Sequence, residues 1–171
     1  MNEVFYWFSR ADGTTEYQTT PAAIGRTDSA TGDLVPCENG MHASPTAFDA
    51  LQYATGPMLW RVTLSDERVP HGSPVDKYAA RSRTYVQCVD IDKLCRRFAA
   101  MQALSVIQLW DAPQVCKDYL TDEANGIDRP DILDAARDAA SAAAWDAAWD
   151  AASAAAKQQF NDLVDALFAE V

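Results

Sequence analysis

Two histidines and four cysteines set the nucleophilic and metal chemistry open to this chain. His42 lies in the run Cys37-Glu38-Asn39-Gly40-Met41-His42-Ala43-Ser44-Pro45. A Cys-x4-His spacing can supply two zinc ligands, but a structural zinc needs four. No convincing second pair follows, because His71 stands in an unrelated loop. Cys37 and His42 also outline a nucleophile and base, with no third group placed to orient the base. Cys88, Cys95 and Cys116 complete the thiols, and no Cys-x-x-Cys pair occurs. Without an export signal, reduced thiols that pack as small hydrophobes are the default. These residues call for no metal and no cofactor.

The basic residues are the next candidates. Lys77, Arg81 and Arg83 cluster in an otherwise acidic chain, and Arg26, Arg61 and Arg68 are candidates to join them in space. Such a cluster suits a phosphate or a carboxylate. The competing reading is a set of surface salt bridges to Asp66, Glu67 and Asp76, the commoner outcome for exposed charges. Gly-rich phosphate loops, Gly-x-Ser-x-Gly, His-Glu-x-x-His and EF-hand patterns are all missing from the sequence.

Charge narrows the partners. The net charge is −11, and it is unevenly placed. Residues 1–110 carry 12 acids and 10 bases, whereas residues 111–171 carry 13 acids and 4 bases. A chain this acidic does not hold nucleic acid through phosphate neutralisation alone. Its acidic half either meets a basic partner or is a solvated helical surface kept soluble by charge. No run of 18 apolar residues exists, so no membrane span is expected. The start Met1-Asn2-Glu3-Val4-Phe5-Tyr6-Trp7 lacks the features of a signal peptide, which points to the cytoplasm.

The elements that must position these residues follow from periodicity. Residues 3–9 read as a buried aromatic strand, and Asp12-Gly13 as a turn with Thr14 to Gln18 as a returning strand. Residues 19–39 have loop composition. Ser44 is placed to cap a short helix with Pro45 at its first position, Phe48 and Leu51 inward, and Tyr53 near its end. Met58–Leu64 alternates as a strand, Val69 to Pro74 is a loop, and Tyr78 to Val89 holds a strand around residues 83–88. Ile91, Leu94, Cys95, Phe98 and Met101 then fit one helical face, with Asp90 as N-cap. Residues 103–110 fit either helix or strand. Asp111-Ala112-Pro113 opens a further helix with Val115, Cys116, Tyr119 and Leu120 inward, which Asn125-Gly126 breaks.

Ala-Ala pairs at 135, 139, 143, 147, 151 and 155 mark the rest as helix over 131–169, with a break near Lys157. Successive tetrads advance by about 40° around a 3.6-residue helix. The ridge therefore winds, and small residues let another helix approach closely. Either another chain docks there, through Asp138, Trp145, Asp146, Trp149 and Asp150, or the helix packs on its own N-terminal module. Phe160, Leu163, Val164, Leu167 and Phe168 form a closing apolar stripe.

Strands before residue 90 and helices after it make the fold class α+β, a mixed-sheet N-terminal module followed by a helical, Ala-rich half. The expected division is a β-rich module over 1–89, a helical segment over 90–126 and an acidic Ala-rich helix over 127–171.

The run Cys37-Glu38-Asn39-Gly40-Met41-His42-Ala43-Ser44, with Asp49-Ala50-Leu51 and Tyr53-Ala54, resembles a module of uncharacterised bacteriophage proteins. The later strands, Leu109-Trp110-Asp111-Ala112-Pro113 and the Trp-containing Ala-rich tail resemble that family too, so the likeness covers roughly residues 1–155. Met41 stands where the family often has Phe or Leu. The resemblance implies a phage or prophage origin and carries no activity with it.

Residues 40–64 also resemble the middle of an ADP-ribosyltransferase fold. There a Gly-led strand and a short helix ending in Tyr build the NAD cleft. That likeness implies His42, Ser44, Tyr53 and Arg61 or Arg83 around a nucleotide. The chain departs from the family at its first strand and in having no strand-borne Glu after residue 67.

The expected function is a phage accessory protein in the cytoplasm of the infected host. It counters a defence system by binding a host protein or its nucleotide second messenger, without catalysis. The alternatives are a transferase-like enzyme or NAD-derived nucleotide binder, and a structural phage protein that forms a homo-oligomer through its Ala-rich helix.

Overall fold

The computed structural model describes residues 3–109, 112–127 and 154–171. The α+β class holds: among the described residues all strands lie before residue 91 and the longer helices after it. Asp138, Trp145, Asp146, Trp149 and Asp150, with most of the Ala-Ala ridge, lie outside the described residues. Among the described residues no helix is long and apolar enough to cross a membrane. The chain divides into two compact units, one of residues 1–91 with 164–171, the other of residues 92–163.

The first unit is built on two antiparallel sheets. One has the order β1 (Phe5–Ser9), β4 (Met58–Leu64), β7 (Ser82–Asp90), β2 (Thr27–Ser29). The other has the order β3 (Met41–Ala43), β6 (Lys77–Ala80), β5 (Arg68–His71). Tyr6 of β1 and Ser44 exchange two backbone hydrogen bonds of 2.8 Å, which tie the start of one sheet to the end of β3.

Strand alternation puts Phe5, Trp60, Val62 and Tyr85 on one face, where they pack with Ala43 as the unit's core. Phe5, Val62 and Tyr85 lie in one cross-strand row, and Trp7, Trp60 and Cys88 in the next. The register shift opposite Arg61 and Val62 leaves Val86 as the extra residue, 41 % exposed. That bulge keeps both Tyr85 and Cys88 on the core face. Inside this face Trp60 donates its indole N–H to Ser9 Oγ at 2.9 Å, so these two buried polar groups satisfy each other.

Several local expectations are corrected. Thr14 to Gln18 is a loop rather than a returning strand: Thr14 bonds back to the Asp12 carboxylate, and Thr15 and Gln18 close a turn on each other. The stretch 19–39 is loop except for β2, whose short pairing with β7 leaves no hydrophobic pattern to see. The helix cap is Thr46, not Ser44. Thr46 Oγ1 accepts the Asp49 N–H at 3.1 Å and donates to its carboxylate at 2.7 Å, so α1 is only Ala47–Leu51. Ser44 is instead spent on the backbone bridge to Tyr6. The loop expected at Val69 to Pro74 begins as β5, with Pro70 tolerated because β5 is an edge strand.

In the second unit α2 (Asp92–Ser105) and α3 (Gln114–Ala124) meet through Ala99, Ala100, Ala103, Tyr119 and Leu120. Residues 107–109 form one 3-10 turn, so the ambiguous stretch is helical. Val115 is 50 % exposed and not part of the inward face. Asn125 and Gly126, at φ +75°, end α3 as expected.

The last helix, α4 (Ala154–Ala169), runs through Lys157 without a break. It buries Ala156, Phe160, Val164 and Phe168, so the four-residue spacing of the alanine tail continues in larger residues. Within the second unit Phe160 meets Phe98 edge-on at 5.1 Å. Within the first, Asp165 bonds Arg61 and Tyr6, and Phe168 lies under the Arg61 guanidinium.

Candidate functional site

The Cys37–His42 run folds into a compact corner. Val35 accepts the N–H groups of Glu38 and Asn39, which closes a tight turn around Cys37. Cys37 itself sits at φ +70°, an unusual conformation for a residue with a side chain. Asn39 Nδ2 donates to the carbonyls of Thr31 and Asp33 at 2.7 Å each, pinning the preceding loop. Gly40, at φ +141°, lets β3 lie against β6: a Cβ there would come 2.9 Å from Ala79 Cβ. His42 Nε2 accepts the backbone N–H of Cys37 at 3.1 Å, which requires the neutral imidazole with its proton on Nδ1. Burial, and then the cations Lys77 and Arg83, push His42 down to about 4.

Lys77 supplies the charge of this corner. It opens β6 and is only 7 % exposed. Its Nζ donates to Cys37 Sγ at 3.3 Å and stands 3.7 Å from the centre of the Tyr53 ring. Among the described residues no carboxylate oxygen lies within 4 Å of it. The nearby carboxylate, Asp76, is taken up by other donors. It accepts from Tyr53 Oη at 2.9 Å and Gln52 Nε2 at 3.0 Å, and His71 Nδ1 lies 3.3 Å away. Dehydration of the Tyr53 hydroxyl, and its hydrogen bond to Asp76, push that phenol up to about 12. The donors around Asp76 hold its carboxyl below the usual carboxylate range, against its partial burial.

The candidate residues therefore separate. His42, Tyr53 and Lys77 come together, with Cys37 and Asp76 between them. Arg83 backs this corner from the core. It donates to the His42 carbonyl at 2.6 Å, to Gln18 Oε1 at 2.7 Å and to Tyr85 Oη at 2.8 Å, and stacks 3.9 Å from the Trp7 ring. Tyr85 Oη donates to the Asp28 carboxylate at 2.8 Å, and Asp28 pairs with Arg26. Arg83 is thus a core strut rather than a ligand-facing cation. Arg81 pairs with Glu67 and caps the carbonyls of Ala30 and Gly32. Arg61, whose neighbours Trp60 and Val62 face the core, points to the opposite side of the sheet and pairs with Asp165. Ser44 is buried and does not join the cluster.

Sequence reasoning set His71 apart in an unrelated loop, and the structure corrects this: β5 pairs with β6 with His71 opposite Lys77. The signal for that pairing is non-local, since nothing near His71 points to Lys77. Cys37 and Asp76 were visible as residues but not as members of one cluster. Among the described residues no group of three His, Cys, Asp or Glu side chains is arranged to hold a metal ion. Chemically, the corner offers one buried cation, one exposed thiol and a neutral imidazole whose Nε2 is already engaged. Compared with known protein families, curated proteins and solved structures, the chain shows no match.

Proposed function

We propose that the chain is a phage accessory protein that counters a host defence by binding. In this reading its N-terminal module takes a small anionic ligand, a nucleotide-derived signal, at Lys77. The observation that carries it is the Lys77 ammonium, 7 % exposed and, among the described residues, without a carboxylate partner. A buried charge is costly unless paired, and retaining one favours an anion that arrives from outside. A phosphate or carboxylate would take the place of the missing counter-ion, with the Tyr53 ring beside it and the His42 imidazole behind. The net charge of −11 disfavours a long polyanion, so a small anion fits better than a nucleic acid strand.

The transferase alternative is less well supported. The strands after Glu67, namely β5, β6 and β7, carry no glutamate for such chemistry. The likeness at residues 40–64 supports holding an ADP-ribose-like ligand rather than transferring it.

Infection of defended bacteria tests the reading. Cells carrying a panel of nucleotide-signalling defences are challenged with phage, with and without this gene. Rescue of plaque formation by the wild type, lost with Lys77→Met at equal protein level, is the expected outcome. Unchanged plaque counts across the panel would contradict it.

A further inference from the structure

Cys37 is the only exposed cysteine of the four. Cys116 is buried, Cys95 is partly buried, and the Cys88 thiol is pushed up to about 11 by burial and by Asp90. Oxidants attack the accessible sulfur with thiolate character. Cys37 meets the first condition, and its sulfur accepts a hydrogen bond from a cationic amine. The second observation is the amine itself. Lys77 is more than nine-tenths buried, and its nitrogen is directed at the Cys37 sulfur from 3.3 Å, with no carboxylate among the described residues to hold it elsewhere. The Tyr53 ring on its other side confines it there. The turn at Val35–Asn39 and the His42 bond to the Cys37 N–H fix the sulfur in turn. No second cysteine faces Cys37, so the place of a resolving thiol is occupied by a nitrogen.

We propose that hydrogen peroxide joins Cys37 to Lys77 through a direct sulfur–nitrogen bond. In the first step the Cys37 sulfur attacks one peroxide oxygen. The S–O bond forms, the O–O bond breaks, and the departing hydroxide takes the thiol proton as water. In the second step the Lys77 ammonium gives one proton to solvent, and the lone pair of the resulting amine attacks the sulfenic sulfur. The S–N bond forms, the S–O bond breaks, and the hydroxide leaves as a second water with a proton from nitrogen. The sulfur is oxidised by two electrons, and one peroxide is reduced to two waters. Condensation of a sulfenic acid with a nitrogen neighbour is established thiol chemistry. An added dithiol reverses it: one thiol attacks the sulfur and frees the amine, and the second reduces the mixed disulfide. The bond does not require the anion-binding reading. Its consequence is loss of the Lys77 charge.

The test uses the full chain, treated with hydrogen peroxide and analysed as intact protein and as proteolytic peptides. The expected product is a monomer lighter by two hydrogens, with a fragment joining Cys37 to Lys77 and no cleavage after Lys77. Dithiothreitol restores the starting mass. Cys37→Ser abolishes the product, whereas Cys88→Ser leaves it intact. Lys77→Arg keeps a cation but removes the amine, so its Cys37 becomes several-fold more reactive to dimedone than that of the wild type. A wild-type product that is a stable dimedone-reactive sulfenic acid, a sulfinic acid or a disulfide-linked dimer would overturn the proposal. So would a Cys37–Lys77 link that retains an added oxygen. Circular dichroism of each variant separates failure to fold from failure to cross-link.

Discussion

Lys77 Nζ lies 3.3 Å from Cys37 Sγ, and the two residues come from elements that are far apart in the chain. Cys37 belongs to a tight turn before β3, and Lys77 opens β6. Antiparallel pairing sets Met41 opposite Ala80 and Ala43 opposite Tyr78, so β3 begins at the end of β6 and the turn before it must fold back for Cys37 to meet Lys77. A cation so enclosed contributes little to folding, because its desolvation offsets what the thiol and the ring return. Lys77→Met should therefore be within about 1 kcal/mol of the wild type or more stable than it, by analogy with replaced buried charges. Urea unfolding measures this. A loss above about 2 kcal/mol, the range of a lost buried partner, would show that Lys77 is a structural residue.

His42 gives a pH signature. Its folded-state value is depressed to about 4 by burial and by Lys77, Arg83 and His71, against about 6.5 when unfolded. The unfolded chain therefore binds the extra proton first as pH falls. Stability tied to His42 is fully present above about 6.5 and declines as pH drops toward 4, by roughly 2–3 kcal/mol in total. Asp76 and Glu67, held below the usual carboxylate range, act only at lower pH. Urea midpoints at a series of pH values should show this slope in the wild type and a flatter one in His42→Gln. Equal slopes would contradict the assignment.

Gly40 and Gly25 both have positive φ, yet they should respond differently to alanine. At Gly40 an added Cβ would meet Ala79 Cβ at 2.9 Å, with backbone at 3.3 Å behind it. At Gly25, φ +83°, nothing lies within 4 Å. Gly25→Ala should cost about 1 kcal/mol, the strain of the left-handed conformation alone. Gly40→Ala should cost about 2 kcal/mol or more, because the overlap adds to the strain. Comparable thermal shifts for the two variants would argue against close approach of β3 and β6.

Arg83 is the opposite case to Lys77. It donates to three acceptors, and a neutral replacement would take one donor from each of the His42 carbonyl, Gln18 and Tyr85. Arg83→Met should cost about 3 kcal/mol or more, the range for breaking a buried hydrogen-bonded charge. A near-neutral result in urea unfolding would mean that these acceptors find other partners.

The sequence was most legible where one period governed a whole element. Met58–Leu64 alternates residue by residue, and it is β4 with those bounds. Of the stripe Phe160, Leu163, Val164, Leu167 and Phe168, the first, third and last are buried and the two leucines half-buried. Legibility failed where tertiary pairing overrode local composition. The β2 strand is Thr-Asp-Ser with no apolar residue, and it exists because β7 offers an open edge. β5 lies mostly inside Val69 to Pro74, whose local composition is that of a loop. The site was half legible. His42 and Tyr53 follow from the likeness at residues 40–64 and Lys77 from the basic cluster, but Arg61, Arg81 and Arg83 come from the same two sources and are engaged elsewhere. What separates them is strand facing and partner placement, which depend on the bulge in β7 and on the C-terminal residues near Arg61.

A thermal-shift titration tests ligand binding at Lys77 most directly. Wild type and Lys77→Met are melted with NAD, ADP-ribose, cyclic ADP-ribose isomers, and cyclic di- and trinucleotides. A ligand present at 100 times its dissociation constant should add about 2.7 kcal/mol of stability. The expected result is a dose-dependent rise in Tm for one of these anions with the wild type and none with Lys77→Met. Failure of every ligand to shift the wild type, or an equal shift in both proteins, would contradict an anion site at Lys77.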